Sequence, residues 1–231
     1  MSESILVTGA SSGIGLAVAE KLIKGGYSVT GLCRRDLPVS IRQYCDVINL
    51  DLSDLKTIDR QVKEHLKTRH YDGLVHCAGY GHFGSVEQFS TAQINRAIQV
   101  NLTAPIVLTR HLIPGMRARK KGRLIFMGSE SARIAGKKGV LYSAAKFGLR
   151  GFCQALREDC ASDGVQVCLI NPGMVRTPFF DDQRFAPGAD EKNAILPEQV
   201  ADIVQQILQA DDNFVFDEVN LSPQIKTLEF K

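Results

Sequence analysis

A short apolar run followed by three closely spaced glycines constrains the fold of this chain more than any other feature. Residues 5–8 read Ile-Leu-Val-Thr, as expected of a strand buried in a parallel sheet. Gly9, Gly13 and Gly15 follow, and residues 14–24 then carry apolar side chains at helical spacing until two more glycines end the pattern. The sequence therefore predicts a strand, a tight glycine turn and a helix as the first unit of an α/β fold.

The turn itself predicts an anion-binding site. A strand that leads through glycines into a helix directs backbone N–H groups and the positive end of the helix dipole at one point, where a pyrophosphate can bind. The spacing is Gly-xxx-Gly-x-Gly and differs from the more common Gly-x-Gly-x-x-Gly. A plain tight turn is the alternative, but the flanking strand and helix favour dinucleotide binding.

The rest of the chain repeats the alternation of strand and helix. Predicted strands cover residues 5–8, 28–33, 46–50, 73–76, 122–127, 165–170 and 214–221, and predicted helices cover 13–24, 55–67, 91–117, 141–160 and 197–209. This order predicts an α/β fold with a Rossmann-like, doubly wound parallel sheet of about seven strands and helices on both faces. No repeat or linker divides the 231 residues, so residues 1–231 are predicted to form one domain.

Composition excludes several classes of function. The net charge is only +3, and the few aromatic residues (7%) are not interleaved with basic ones, so no nucleic-acid partner is predicted. No run approaches the roughly 18 apolar residues of a membrane span, and the first strand begins too early for a signal peptide. The six cysteines and five histidines show neither disulfide nor metal-site spacing, so we expect a reducing, cytoplasmic location and no metal.

A tyrosine and a lysine late in the chain suggest acid–base chemistry. Tyr142 and Lys146 stand at i and i+4 in a predicted helix, which places them on one face. An ammonium group there favours the phenolate, so we expect the pKa of Tyr142 to lie below its usual value of about 10. The alternative is a surface tyrosine and lysine that share a face by chance.

The chain resembles the short-chain dehydrogenase/reductase family over nearly its whole length. The resemblance is carried by the segment Thr8-Gly9-Ala10-Ser11-Ser12-Gly13-Ile14-Gly15 together with Tyr142-xxx-Lys146. Further matches occur in the family's order: Asp51-Leu52, Ala78-Gly79, Asn101, Ser129, Asn171-Pro172-Gly173 and Thr177. The family's enzymes transfer a hydride between a nicotinamide cofactor and a carbonyl or alcohol, which is what the resemblance implies here.

The resemblance also implies a role for each catalytic residue. Tyr142 is the general acid that protonates the substrate oxygen, and Lys146 lowers the tyrosine pKa and holds the nicotinamide ribose. Ser129 polarises the carbonyl, with Ser131 as its competitor and an ordinary turn serine as the alternative. Asn101, a poor helix former inside a predicted helix, holds a water that relays protons, or else marks a local distortion of that helix.

The cofactor site implied by the resemblance includes most of these motifs. Its residues are Gly9, Ser11, Ser12, Gly13, Ile14, Gly15, Arg34, Arg35, Asp51, Leu52, Cys77, Ala78, Gly79, Asn101, Tyr142, Lys146, Pro172, Gly173, Val175 and Thr177. Asp51 and Leu52 correspond to the pair that borders the adenine ring. Two departures stand out: Cys77 replaces a common asparagine, and Ser11 and Ser12 occupy a turn that often carries a basic residue in NADP-preferring members.

The end of the second predicted strand indicates which cofactor is preferred. An acidic residue there binds the ribose of NAD, whereas a guanidinium can pair with the 2′-phosphate of NADP. The chain has Arg34 and Arg35, followed by Asp36. We therefore predict NADP(H), with Arg34 as the first choice and Arg35 as the second. NAD(H) is the alternative if the strand runs on and Asp36 takes the acidic position.

One long irregular stretch, residues 173–196, is predicted to form a lid over the substrate. It contains two adjacent phenylalanines, which argue against a merely solvated loop. The predicted pocket walls are Tyr80, His82, Phe83, Phe179 and Phe180, together with Ser129; ordinary packing is the alternative for the aromatic residues. Because few residues follow the last predicted strand, a C-terminal substrate-binding extension is expected to be absent or minimal.

These features predict an NADPH-dependent carbonyl reductase or alcohol dehydrogenase for a small or medium, fairly apolar substrate. An NAD-linked dehydrogenase and a non-catalytic NADP(H)-binding regulatory protein are the alternatives. Family members commonly pair their two long helices, here 91–117 and 141–160, so the resemblance also implies a homodimer or homotetramer.

Overall fold

The computed structural model describes residues 2–231 and contains a central sheet of parallel strands. The sheet has seven strands: β1 (Ser4–Thr8), β2 (Ser28–Cys33), β3 (Cys45–Asn49), β4 (Gly73–His76), β5 (Gly122–Met127), β6 (Val165–Pro172) and β8 (Glu218–Leu221). Two short antiparallel strands, β7 (Phe185–Pro187) and β9 (Leu228–Phe230), form a separate pair. The helices are α1 (Gly13–Lys24), α2 (Val39–Arg42), α3 (Leu55–His65), α4 (Thr91–Ile98), α5 (Ala104–Arg119), α6 (Val140–Cys160) and α7 (Pro197–Leu208).

The strand order places a ligand crevice at the centre of the sheet. The order is β3-β2-β1-β4-β5-β6-β8, so the chain builds outward from β1 in one direction and then in the other. The point of reversal lies between β1 and β4, and ligands of doubly wound sheets bind there, at the carboxyl ends of the strands. The predicted fold class is confirmed.

Alternating side chains of the strands supply a hydrophobic core on each face of the sheet. Ile5 and Val7 pack with α1 and α7 on one face, and Leu6 of the same strand packs with α3, α5 and α6 on the other. Strands buried on both faces lack polar alternation, which is why the apolar runs were recognisable in the sequence.

The single helix predicted for residues 91–117 is wrong in one respect. A π-helical turn over Gln99–Thr103 interrupts it and separates α4 from α5. Asn101 lies in this turn, where its side chain donates to the Ala97 carbonyl at 3.0 Å. Asn101, the poor helix former noted in the sequence, thus lies where the α-helix is interrupted, and π-helical turns are frequent at functional sites.

The C-terminal part of the chain also differs from expectation. The predicted strand 214–221 contracts to Glu218–Leu221, because only these residues align with β6. The C-terminal extension, which was expected to be absent or minimal, spans residues 222–231. It returns to the 173–196 stretch, where β9 pairs with β7. That stretch is therefore less irregular than predicted, since it contains β7 and two short 3₁₀ turns, Pro178–Phe180 and Glu191–Asn193.

Within residues 2–231, no helix is long and apolar enough to cross a bilayer. The six cysteines are free thiols, and all except the partly exposed Cys77 are buried.

Candidate active site

The glycine turn has the geometry that close approach of a ligand requires. Gly9 adopts φ +72°, a left-handed conformation that other residues rarely accept. A Cβ on Gly15 would stand 2.3 Å from the Gly9 carbonyl oxygen, so only glycine permits this tight crossing of the backbone. Ser12 precedes α1 without capping it through its side chain, and the first turn carries no acidic residue. The N-terminal N–H groups of α1 are therefore suited to an anion.

The two arginines after β2 point to different places. Arg35 Nη2 donates to Ser12 Oγ at 3.3 Å, so it lies beside the glycine turn. Arg34 Nη1 is 3.8 Å from Asp51 Oδ2, and Arg96 Nη2 reaches the same oxygen at 3.4 Å. The strand ends at Cys33 as predicted, and Asp36 is exposed beside Arg42. The second choice made from the sequence, Arg35, is thus the arginine nearest to the predicted pyrophosphate site.

Asp51 stands among these cations as a charged acceptor. Burial acts to raise the pKa of the Asp51 carboxyl, but hydrogen bonds from Ser53 and the charges of Arg96 and Arg34 together lower it. Leu52, directly after it, is buried under the sheet. Arg96 was not singled out in the sequence, because a lone arginine in an amphipathic helix carries no recognisable signal.

The remaining predicted cofactor residues line the same edge of the sheet. Ala78 donates its N–H to the buried Thr8 hydroxyl at 3.0 Å and lies against Gly9. Thr177 lies 3.3 Å from the position a Cβ would take on Gly13, which brings the segment after β6 to the glycine turn. The segment after β4 carries Cys77 and Gly79. Pro172 ends β6, and Gly173 and Val175 follow it.

Tyr142 and Lys146 lie in the first two turns of α6, on the face directed at the sheet. Lys146 is 4% exposed, and its Nζ donates to the Met127 carbonyl at the end of β5 at 2.8 Å. The same Nζ stands 5.6 Å from the centroid of the Tyr142 ring. The surface alternative for this pair is therefore wrong for the lysine, which is buried, while the tyrosine is half-buried.

The expected lowering of the tyrosine pKa is not found in this arrangement. Burial raises the pKa of Tyr142 to about 12, although its hydrogen bond with Ser129 acts in the opposite direction. Burial also lowers the pKa of Lys146 to about 8. Desolvation disfavours the charged form of each group and is the largest cause of both shifts, and the charge of Glu130 raises the tyrosine pKa further. Tyr142 is consequently protonated at neutral pH and can act as a proton donor.

Of the two candidate serines, the structure brings Ser129 to the tyrosine. Ser129 is 8% exposed and begins a 3₁₀ turn after β5, where its hydroxyl accepts the Ser131 N–H at 3.1 Å. Asn101 is fully buried and holds the segment after β4 by donating to the Tyr80 carbonyl at 3.0 Å. Its Oδ1 and Lys146 Nζ both face Gly79, at 2.8 and 3.6 Å from the position of an added Cβ.

Aromatic rings cover Tyr142. The centroids of Phe83 and Phe179 lie 5.4 and 5.8 Å from that of Tyr142, and Phe180 and Phe185 extend the cluster. Three of the predicted pocket residues, Phe83, Phe179 and Phe180, therefore come together. Tyr80 and His82 pair with each other and, through His82, with Phe89, in a second group.

The C-terminal tail, residues 222–231, holds the stretch that carries these phenylalanines. Lys231 Nζ donates to the Phe180 carbonyl at 2.8 Å, and Asn193 Nδ2 donates to the Ile225 carbonyl at 3.1 Å. Phe185 lies within the predicted lid, residues 173–196, but it was not among the predicted pocket residues, and the tail was missed altogether. A three-residue strand leaves no periodic signal that could have revealed the tail.

A glycine turn at the switch point of a parallel sheet, with a tyrosine, lysine and serine at the same edge, is typical of nicotinamide-dependent oxidoreductases. The family model for short chain dehydrogenase matches residues 3–186. The chain belongs to the short-chain dehydrogenase/reductase family and is an oxidoreductase of that family, as the sequence predicted.

Relatives agree over most of the chain. The uncharacterized oxidoreductase YbbO of Escherichia coli is 30% identical over 219 residues, covering 89% of this chain and 81% of its own length. The 3-oxoacyl-(acyl-carrier-protein) reductase FabG of Buchnera aphidicola is 31% identical, covering 87% and 88%. Among solved structures, a metagenomic short-chain oxidoreductase in complex with NADP is 30% identical, with a TM-score of 0.81 over 97% of this chain and 98% of that one.

Proposed function

We propose that the protein transfers a hydride between NADP(H) and a carbonyl or secondary alcohol substrate, with Tyr142 as the general acid and base. The observation that carries this proposal is the convergence of Tyr142, Lys146 and Ser129 at the sheet edge that also holds the glycine turn. The nicotinamide cofactor supplies or accepts the hydride when it is bound.

Each side chain has a role that its surroundings support. Ser129 donates a hydrogen bond to the substrate oxygen, and the Tyr142 phenol donates its proton there. The phenolate that remains is stabilised by the ammonium of Lys146, 5.6 Å from the ring centroid. Asn101, beside Gly79 and Lys146, holds the water that returns a proton towards the lysine. In alcohol oxidation Tyr142 acts as the base.

The residues of the cofactor site fit a dinucleotide with a 2′-phosphate. The Gly9–Gly15 crossing and the N-terminus of α1 leave room and N–H donors for a pyrophosphate. Arg35 beside Ser12, and Arg34 further out, supply cations for the 2′-phosphate. The NADP complex of the 30% identical relative supports the same choice. NAD(H) is the alternative.

The aromatic cluster indicates the substrate class. Phe83, Phe179, Phe180 and Phe185 form a chain of ring contacts, with centroids 5.0 to 6.4 Å apart, that ends on Tyr142. Flat apolar groups gain from offset and edge-to-face contacts with such rings. We therefore propose aryl or conjugated ketones and aldehydes, held with the aromatic part among the phenylalanines and the carbonyl oxygen at Ser129.

Assembly and location remain proposals from the sequence. We propose a single domain, a cytoplasmic location and a homodimer or homotetramer formed through α5 and α6. Both helices expose apolar side chains, Ile106 at 36% and Phe147 at 42%, which supports a helix-mediated interface. Light scattering that finds only a monomer would contradict the assembly.

The deciding experiment combines a variant with a matched pair of substrates. The experiment measures the rates at which the wild type, Tyr142→Phe and the exposed-tyrosine control Tyr44→Phe reduce acetophenone and cyclohexyl methyl ketone with NADPH. We expect Tyr142→Phe to lose at least about 100-fold in kcat while NADPH still binds. Acetophenone should have the higher kcat/KM. Full activity of Tyr142→Phe would refute the mechanism; equal rates for the two ketones would refute only the substrate class; binding without turnover of any carbonyl would favour a regulatory role.

A further inference from the structure

A series of polar contacts connects Ser129 to α6 by a route that does not pass through the reacting groups. The Ser129 N–H donates to Asn171 Oδ1 at 3.3 Å, and Asn171 Nδ2 donates to Glu218 Oε1 at 2.8 Å. Arg150 Nε then donates to Glu218 Oε2 at 2.9 Å. Asn171 is 1% exposed, the Glu218 side chain 18% and the Arg150 side chain 32%, so water competes little for the contacts of the Asn171 amide.

The contacts close a ring around the end of β5. Tyr142, Lys146 and Arg150 follow one another at spacings of four along α6 and therefore share one face. Lys146 ties this face to the Met127 carbonyl, and Arg150 ties it, through Glu218 and Asn171, to the Ser129 N–H. The helix that carries the tyrosine is thus attached to the strand end on both sides of Gly128.

Gly128 is what allows Asn171 to approach. A Cβ on Gly128 would stand 2.1 Å from Asn171 Oδ1, a distance that no relaxation of a side chain could accommodate while the contact persists. The Gly128 N–H is itself bonded to the Ile170 carbonyl at 2.7 Å, which fixes the backbone at this point. The amide of Asn171 therefore occupies space that any other residue at position 128 would fill.

Glu218 decides which way the Asn171 amide faces. The Ser129 N–H needs the carbonyl oxygen of the amide, so the NH₂ group must find an acceptor on the opposite side. Glu218 Oε1 at 2.8 Å and Asn220 Oδ1 at 3.1 Å are those acceptors. Arg150 at 2.9 Å and Arg133 at 3.7 Å keep the carboxylate in place. Without it, the amide loses the stronger, charge-assisted partner.

We infer that Glu218, anchored by Arg150, is a positioning residue that orients Asn171 and thereby sets Ser129 against Tyr142. It touches neither substrate nor cofactor, and its effect on turnover rests on the proposed role of Ser129. The neighbouring pair Arg157–Asp217 joins α6 to the residue before β8 but has no contact that leads to Asn171 among the described residues.

The test compares Glu218→Ala and Glu218→Gln with the control Asp217→Ala. We expect Glu218→Ala to lower kcat about 10-fold with the KM for ketone and the Kd for NADPH within about twofold, and Glu218→Gln to recover most of the loss because its oxygen can still accept from Asn171. In a Ser129→Ala background, Glu218→Ala should not lower kcat further, because the effects of substitutions at coupled residues are not additive. An equal 10-fold loss in both backgrounds would overturn the inference.

A second readout does not depend on turnover. Hydrogen–deuterium exchange of the segment 128–132 should be about 10-fold faster at the Ser129 amide in Glu218→Ala than in the wild type or Asp217→Ala, because a local opening becomes easier. Unchanged exchange would refute the positioning role even if activity fell. Faster exchange in a protein that reduces no carbonyl would support the positioning role while refuting the proposed function.

Discussion

The glycine turn and the phenylalanine-bearing loop face each other across the candidate active site, but they are held in place by different means. Gly9 and Gly15 are six residues apart, and their geometry follows from backbone conformation alone. The loop is instead fixed by partners about 40 to 50 residues further on, through the pairing of β7 with β9 and through Lys231 at the Phe180 carbonyl.

This difference explains why the glycine turn, but not the pairing of the phenylalanine-bearing loop, can be recognised in a sequence. A backbone that must adopt positive φ or cross another strand at contact distance demands glycine at fixed positions, which leaves a motif. A three-residue strand that pairs with a distant tail accepts many apolar residues, so it leaves none. We therefore expect substitutions in the glycine turn, the cofactor half of the site, to weaken cofactor binding strongly. Substitutions in the phenylalanine-bearing loop and its tail, the substrate half, should change the KM for the substrate more than the affinity for the cofactor.

The largest expected effect comes from filling the glycine crossing. In Gly15→Ala the new Cβ would stand 2.3 Å from the Gly9 carbonyl oxygen, so the start of α1 must move. We expect the Kd for NADPH to rise about 100-fold, which corresponds to about 2.7 kcal/mol. Cofactor fluorescence titration measures it. Gly136→Ala is the control, because nothing lies within 4 Å of its added Cβ, and it should bind normally.

An intermediate effect is expected from the arginines beside the turn. Arg35 lies 3.3 Å from Ser12 Oγ, whereas Arg34 is 3.8 Å from Asp51. Loss of one charge-assisted bond should lower the NADPH-over-NADH preference about 10-fold in Arg35→Ala and less in Arg34→Ala, whose charge is partly neutralised by Asp51. Paired titrations with both cofactors give the ratios, with Arg42→Ala as the control.

The reverse ranking of the two arginines would mean that the 2′-phosphate lies beside Arg34, the first choice made from the sequence. Equal or tighter binding of NADH by the wild type would contradict NADP preference and direct attention to Asp36.

The smallest effect should come from loosening the substrate half. Asn193 is 7% exposed and donates to the Ile225 carbonyl and, at 3.2 Å, to Thr227 Oγ1 of the tail. In Asn193→Ala we expect the free energy of unfolding to fall by about 1–2 kcal/mol and the KM for acetophenone to rise about threefold. The Kd for NADPH should not change. Asn213→Ala, at an exposed turn, is the control; a changed cofactor affinity would break the contrast between the two halves.

Several features of the site were predictable and others were not, for identifiable reasons. The spacing of Tyr142 and Lys146 predicted a shared helical face correctly, but not the burial that raises the tyrosine pKa to about 12. Desolvation depends on the segments that cover the ring, including Phe83 and Phe179. A distortion of the helix at Asn101 was only the alternative interpretation of the sequence, and the π-helical turn Gln99–Thr103 shows that it occurs.

By itself, the sequence determined the parallel sheet, the glycine turn at its edge and the family, because strands buried on both faces, glycines at positive φ and a four-residue helical spacing each require particular residues at short range. Only the tertiary structure decided that Arg35 lies at the glycine turn and that residues 222–231 pair with the phenylalanine-bearing loop. It also decided that Glu218 and Arg150 connect to Ser129 through Asn171. These contacts join residues up to 68 positions apart in the chain, and their energy depends on mutual distance and burial, which no local pattern of residues encodes.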